Sequence, residues 1–185
     1  MTNVAVLTNG SSGDYVTTNS GYLFFAQTPE KFFHDADGNL LGDGRWTNTW
    51  DSENQLVSMQ SVSNAPSGSL RKLDFAYDYA GRRIQKIVST NNGGVYTAQS
   101  TALFVYDGWN LIAVLDSTGT ILQSFRWGQD LSGTMSGAGG VGGLISMTVH
   151  SGSSAGTYFY SFDGNANVMA LVNATNGVVA ARYEY

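Results

Sequence analysis

Two glycine-containing stretches of this 185-residue chain have the spacing of motifs that carry chemistry. The first, SGAGGVGGL at residues 136–144, contains G-x-G-x-x-G at Gly137, Gly139 and Gly142. In a dinucleotide site this spacing follows a strand and opens a helix, whose N-terminal N–H groups face the pyrophosphate. Here the polar stretch GQDLSGTMS precedes the glycines and the β-branched stretch LISMTV follows them. The sequence therefore predicts a mobile glycine loop between two strands, with no bound cofactor.

The second stretch, GSSAG at residues 152–156, places Ser154 at the centre of G-x-S-x-G, the nucleophile-elbow motif of α/β-hydrolases. An elbow requires a helix after the serine, whereas YFYSF follows here and has the pattern of a strand. Both histidines, His34 and His150, precede Ser154, against the order serine, acid, histidine of that family. We therefore predict a hairpin loop and no catalytic residue, and keep a small hydrolase only as a remote hypothesis.

The acidic residues show no recognisable metal site. DADGNLLGD begins with alternating oxygen ligands at Asp35, Asp37 and Asn39, but the sixth and twelfth positions of an EF-hand are occupied by Leu40 and Trp46. The simpler interpretation is a turn in which Asp and Asn side chains form hydrogen bonds with their own backbone. A calcium site with looser geometry than an EF-hand is the alternative. Two histidines and no cysteine do not favour zinc. We predict no metal.

The composition and the period-two pattern predict an all-β fold. Glycine contributes 23 residues, proline 2, and charged residues only 12% of the chain. In four stretches the large apolar and aromatic residues recur at every second position, which places them on one face of a strand. These stretches are LDFAYDY, ILQSFRW, GTYFYSF and VVAARYEY. Gly, Asn and Asp punctuate these runs at intervals of roughly 8–14 residues, which is typical of hairpins. The sequence predicts an antiparallel hairpin meander that forms a curved sheet or a partial shell or barrel.

Two sets of residues are singled out by this pattern. The turns need backbone with positive φ and acids that bond it, and for these roles we select Gly38, Gly81, Gly108, Gly164, Gly177, Asp107 and Asp163. Aromatic stripes usually pack across strands, but exposed rings could also stack on a ligand such as a glycan, and for this role we select Trp46, Trp50, Trp109 and Trp127.

The charge pattern limits the partners. The formal net charge is −5, and the nine Lys and Arg look scattered along the chain, so we expect no nucleic-acid binding. No apolar run approaches 18 residues, so we expect no membrane insertion. The last segment, VVAARYEY, has only Arg182 and Glu184 as charges. We expect it to be an open edge strand through which the chain forms a homo-oligomer.

The stretches YDYAGRRIQKI, WDSENQLVSM and FVYDGWNLI resemble the YD repeats of the RHS (rearrangement hotspot) proteins. FRWGQDLSGTMSGAGGVGGLI and the final YFYSFDGNANVMALVNATNGVVAARYEY resemble the repeat-associated core of that family. The resemblance covers residues 34–185, which we expect to be one continuous domain, with residues 1–33 as a strand and turn segment leading into it. In that family the repeats form a β-sheet that spirals into a hollow shell around a C-terminal toxin or effector.

The resemblance implies a non-enzymatic structural segment of a secreted or cell-surface bacterial protein. Its partners would be the remainder of the RHS shell and the C-terminal effector that the shell encloses or displays. The alternative is a carbohydrate-binding module that uses exposed Trp and Tyr on the same sheet, and the orientation of the tryptophans distinguishes the two.

Overall fold

The structure is a computed structural model that describes residues 2–7, 15–20 and 28–184. Its only helical element in the described residues is one 3-10 turn, Ser67–Ser69. The strands are β1 (Thr2–Leu7), β2 (Tyr15–Ser20), β3 (Phe33–His34), β4 (Leu40–Gly42), β5 (Trp46–Trp50), β6 (Leu56–Ser61), β7 (Arg71–Tyr77), β8 (Arg83–Asn92), β9 (Val95–Asp107), β10 (Asn110–Leu115), β11 (Ile121–Trp127), β12 (Leu144–Val149), β13 (Gly156–Phe162), β14 (Val168–Asn173) and β15 (Val179–Arg182).

Strands β3 to β15 form one 13-stranded sheet in which neighbouring strands are consecutive in the chain. Strands β1 and β2 form a separate antiparallel pair, with Thr2 opposite Ser20. Within the described residues, no helix is long and apolar enough to cross a membrane. The sheet confirms the prediction of an all-β antiparallel meander.

The stretches in which apolar residues recur at every second position coincide with strands of the structure or overlap them. ILQSFRW and GTYFYSF coincide with β11 and β13, and LISMTV with β12, while LDFAYDY and VVAARYEY overlap β7 and β15. The predicted aromatic stripe of β13 is also present, since the rings of Tyr160 and Phe162 lie 6.4 Å apart between centroids. Side chains two residues apart on a strand share a face, so the stripe follows directly from the local pattern.

The described residues divide into two compact units. One comprises the described residues up to Leu73 together with Ser89–Thr97, and the other comprises Asp74–Val88 together with the described residues from Ala98 onward. Strands β3 to β6 belong to the first unit and β10 to β15 to the second, whereas β7, β8 and β9 contribute residues to both. A division between residues 33 and 34 remains a prediction.

Few side chains are enclosed. Among the described apolar residues only Val114 is buried, at 8% exposure, while the buried polar residues include Asp130 and Ser146. Most strand side chains are half-buried. A sheet with so little enclosed apolar surface gains less from the hydrophobic effect and depends more on its backbone ladders and turns. The turns are therefore the places where single residues matter most.

One type of turn closes five of the hairpins. In the turn headed by Asp78, its N–H donates to Arg82 O at 3.0 Å and Gly81 N–H donates to Asp78 O at 2.9 Å. The carboxylate oxygen Oδ1 accepts hydrogen bonds from the N–H groups of Ala80 and Arg82. The same set of bonds recurs in the turns headed by Asp35, Asp51, Asp116 and Asp163.

The fourth residue of each aspartate-headed turn has positive φ. These residues are Gly38 (89°), Asn54 (59°), Gly81 (76°), Gly119 (84°) and Ala166 (62°). Of the selected glycines outside this position, Gly108 and Gly177 also have positive φ, at 57° and 70°. Gly164 does not, because it is the second residue of the Asp163 turn and Ala166 takes the left-handed position. Asp107 ends β9 opposite Asn110, and the two-residue turn Gly108-Trp109 joins them.

Strand β15 lies at one end of the sheet order, and we propose that it pairs with a second copy of the chain. Val178 and Val179 are 60% and 39% exposed, and Arg182 is the only charge on the strand. An open strand with few charges favours strand addition. We expect sedimentation equilibrium to show concentration-dependent dimers that Val179→Lys abolishes and that Val141→Lys, a change at an exposed loop valine, leaves intact. A monomer at every accessible concentration would contradict the proposal.

Candidate functional site

The serine–histidine arrangement in the structure differs from the one considered above. His150 Nε2 lies 2.9 Å from the hydroxyl of Ser124 on β11, not from Ser154. The carbonyl of Ser154 accepts a hydrogen bond from the Tyr158 hydroxyl at 2.8 Å, within the exposed loop between β12 and β13. No carboxylate orients the His150 ring among the hydrogen bonds of the described residues. The described residues thus provide two members of a nucleophilic triad without the third.

Metal binding finds no support in the described part of the chain. No three His, Asp or Glu side chains there come together as ligands. The carboxylate of Asp35 accepts hydrogen bonds from the N–H groups of Asp37 and Asn39 and from the side-chain amide of Asn39. These bonds, led by that of the Asn39 side chain, hold the pKa of Asp35 below its usual value. The stretch is thus an aspartate-bonded turn, as the simpler interpretation predicted.

The glycine loop at residues 128–143 is folded around the carboxylate of Asp130, which is only 6% exposed. Its Oδ1 accepts hydrogen bonds from the N–H and the hydroxyl of Ser132, and its Oδ2 from the N–H groups of Ala138 and Gly140 at 2.7 and 3.1 Å. The Ser132 hydroxyl, followed by these backbone N–H groups, lowers the pKa of Asp130 to about 2.

This arrangement explains why G-x-G-x-x-G does not mark a phosphate site here. Successive backbone N–H groups in a tight loop form an anion-binding nest. In this loop the anion is Asp130 of the same chain, and the N–H groups of Ala138 and Gly140 are used by it. The segment after the glycines is β12 and not a helix, as predicted. These hydrogen bonds oppose the mobility expected from the glycine content of residues 133–143, and that mobility stays a prediction.

Three of the four selected tryptophans have structural partners. Trp50 Nε1 donates to Leu40 O at 2.9 Å, and Trp127 Nε1 donates to Leu111 O at 2.7 Å. The Arg45 guanidinium lies over the Trp46 ring, 5.4 Å from its centroid. Trp109 differs, because it lies in the turn after β9 and is 70% exposed. Only Trp109 of these four is available as a stacking surface.

The basic residues are less scattered than they look in the sequence. Five of the nine fall within residues 71–86, namely Arg71, Lys72, Arg82, Arg83 and Lys86. In the second unit, the guanidinium of the exposed Arg83 lies 5.4 Å from the ring centroids of both Phe75 and Phe104. Stacking of this kind holds a guanidinium in place while its N–H edge can still bind a planar anion.

Arg82, the next residue along, links two turns. Its guanidinium forms an ion pair with Asp78 at 2.7 Å, lies 5.3 Å from the centroid of Tyr106 and donates to the carbonyl of Gly108. The Tyr106 hydroxyl in turn donates to Arg83 O at 3.0 Å. Desolvation raises the pKa of Asp78, but the hydrogen bonds from Arg82 outweigh it and leave this pKa below its usual value.

We call Phe75, Arg82, Arg83, Phe104 and Tyr106 the arginine–aromatic surface. Sequence reasoning missed it, although the run of basic residues at 71–86 was a visible signal. In this surface the Arg82 guanidinium is paired with Asp78 of a turn, and the Arg83 guanidinium is stacked on the rings of Phe75 and Phe104. Such a combination suits a partner that carries both phosphate and flat aromatic groups.

No family model matches the chain. It is 26% identical over 189 residues to the tRNA3(Ser)-specific nuclease WapA of Bacillus spizizenii and, equally, to the tRNA nuclease WapA of Bacillus subtilis (strain 168), in both cases over 99% of this chain and 7% of the relative. It is 27% identical over 158 residues to the tRNA(Glu)-specific nuclease WapA of Bacillus subtilis subsp. natto, over 84% of this chain and 6% of the relative. The chain spans less than a tenth of the curated relatives it matches.

These relatives correct the functional interpretation of the sequence. Their names contradict the assignment to the RHS proteins, the expectation of a non-enzymatic shell segment and the alternative of a carbohydrate-binding module. The error has a physical origin. An aromatic residue before each turn, Gly or Asn within it and an apolar strand after it together specify a hairpin. Successive hairpins specify a sheet, but a sheet does not specify an activity.

Proposed function

We propose that this chain is a segment of a tRNA nuclease polypeptide related to WapA, and that its arginine–aromatic surface contacts the tRNA. The observation that carries the proposal is the relation, over 99% of the chain, to two proteins named as tRNA nucleases. Since the match covers 7% of each relative, the proposal assigns RNA cleavage to the whole polypeptide. The partners of the segment are then tRNA and the rest of that polypeptide.

The charge distribution is compatible with such a contact only locally. With a net charge of −5, the chain as a whole does not attract RNA. The exposed Arg83 is the best placed cation, because its stacking on Phe75 and Phe104 fixes the guanidinium. This contact replaces the expectation, based on scattered basic residues, that the chain avoids nucleic acid.

We also propose that the protein lies outside the cell or at its surface, which is what the sequence led us to expect. The absence of cysteine is compatible with export from a bacterium. Fractionation of the native host with an antibody against this segment tests the placement, and recovery of the polypeptide only from the cytosol would contradict it.

The functional test is tRNA cleavage by the polypeptide that contains this segment, with Arg83→Ala compared with the parent. We expect the parent to cleave tRNA and Arg83→Ala to raise KM for tRNA roughly tenfold with kcat unchanged, because the lost contact binds the ground state and the transition state equally. Arg83→Lys, which keeps the charge but not the planar stack, should fall in between. Arg126→Ala, at another exposed arginine, serves as the control. Absence of tRNA cleavage would overturn the proposal, and an unchanged KM would remove Arg83 from it.

A further inference from the structure

Two aromatic side chains beside the arginine–aromatic surface are exposed without a structural reason. Tyr79 is 98% exposed and Trp109 is 70% exposed, more than any other aromatic side chain in the described part of the second unit. Exposed rings gain no stability from burial, and where several lie close together they commonly mark a binding surface. Their positions in the turns show how unusual they are.

Tyr79 is the second residue of an aspartate-headed turn. The corresponding residues of the four other such turns are small, namely Ala36, Ser52, Ser117 and Gly164. The bonds that close these turns involve the backbone and the aspartate, so the geometry does not require a side chain at this position. The tyrosine is therefore an addition to a turn that is complete without it.

Trp109 is an addition of the same kind. It is the second residue of the two-residue turn Gly108-Trp109 between β9 and β10. The other two-residue turn, between β8 and β9, is Gly93-Gly94, with no side chain at either position. A tryptophan is not needed for a two-residue turn, where Gly and Asn are preferred.

The two turns touch each other. The guanidinium of Arg82, which ends the Tyr79 turn, donates to the carbonyl of Gly108, the residue next to Trp109. The same guanidinium pairs with Asp78, so the two charges largely cancel. Arg83, stacked on Phe75 and Phe104, then remains as the cation of this surface and can neutralise about one phosphate. The attraction of this surface lies mainly in its rings.

We infer that Tyr79 and Trp109 form a stacking pair for unpaired nucleobases of RNA, with Arg83 on a neighbouring phosphate. The inference rests on the proposed function and specifies the part of the tRNA that is bound. Bases in a duplex are stacked on each other, whereas bases in loops can be splayed onto aromatic side chains. Stacking on a protein ring strengthens binding by about tenfold per base.

The test is binding of the full chain to a short unstructured RNA and to a fully paired RNA hairpin stem, measured by fluorescence anisotropy. We expect binding to the unpaired RNA, weakened about tenfold by Tyr79→Ala or Trp109→Ala and abolished by the double change. Tyr79→Phe and Trp109→Phe should retain most of the binding, since they keep a ring. Phe33→Ala, at a 59% exposed ring of the first unit, is the matched control and should have no effect.

Salt dependence gives a second readout. Because about one phosphate is neutralised, the logarithm of the binding constant should fall with the logarithm of salt concentration at a slope of about −0.7. Tighter binding to the paired stem, or equal binding by the parent and the double variant, would overturn the inference. The binding assay does not depend on tRNA cleavage by the whole polypeptide. Failure of the stacking inference can therefore be distinguished from failure of the proposed function.

Discussion

Replacing Gly140 with alanine is expected to destabilise the protein by roughly 2–5 kcal/mol. Two effects add at this position. Its φ of +81° is a conformation that costs a residue with a Cβ about 1–2 kcal/mol. A Cβ there would also lie 2.8 Å from Asn110 Oδ1 and 3.2 Å from the Trp127 ring, which itself donates to Leu111 O. Overpacking of this kind typically costs about 1–3 kcal/mol more.

The neighbouring Gly139→Ala separates the two effects. Gly139 has a similar φ of +67°, but a Cβ there would meet nothing within 4 Å. We therefore expect Gly139→Ala to cost only the backbone part, about 1–2 kcal/mol. Urea unfolding of both variants, monitored by tryptophan fluorescence, measures the difference. Equal losses would mean that the loop is not packed against Trp127 and Asn110.

Replacing Asp130 with asparagine is expected to lower Tm by roughly 5–10 °C at pH 7. An asparagine has only one carbonyl oxygen to accept the hydrogen bonds that now reach both carboxylate oxygens, and its NH₂ group would face N–H donors. Buried donors left without acceptors are costly, and the N–H groups of Ala138 and Gly140 lie in this position. The loss should appear in calorimetry as a shift of the whole transition.

The pH dependence of stability gives an independent check of the same carboxylate. The pKa of Asp130 is about 2 in the folded protein, below the usual 3.8 of an aspartate in water. A depressed pKa contributes stability that is fully present above the unfolded pKa and is lost as pH falls through the folded one. We therefore expect the stability of the parent to fall between about pH 4 and pH 2, and Asp130→Asn to show a shallower fall.

Part of the acid-induced loss should remain in that variant. The carboxylates of Asp35, Asp78, Asp116 and Asp163 also have pKa values below the usual one, through the bonds of their turns. Asp37→Asn, at an exposed aspartate within the Asp35 turn, should leave Tm at pH 7 unchanged. If the Asp130→Asn variant is as stable as the parent and loses stability equally as the pH falls from 4 to 2, the loop does not depend on the Asp130 carboxylate.

The candidate site could be foreseen only in part. Arg82 and Arg83 belong to a run of basic residues that the sequence displays, and Trp109 was among the selected stacking residues. What could not be foreseen is that the Arg83 guanidinium lies over Phe75 and Phe104 on the strands on either side of β8. The alternation of a strand gives the face on which a side chain lies, but not which residue of the next strand stands beside it.

Local chemistry in the sequence by itself determined the secondary structure of this protein. Alternation with a period of two marks the strands, and Gly or Asn in the left-handed position of the turns marks the hairpins, because both depend on neighbouring residues alone. Tertiary structure decided the rest. The pairs Ser124–His150 and Arg82–Gly108 each join residues 26 positions apart, and Asp130 meets Gly140 across a folded loop. Such contacts depend on register and loop path, which are set by the sum of many cross-strand interactions and leave no local signature.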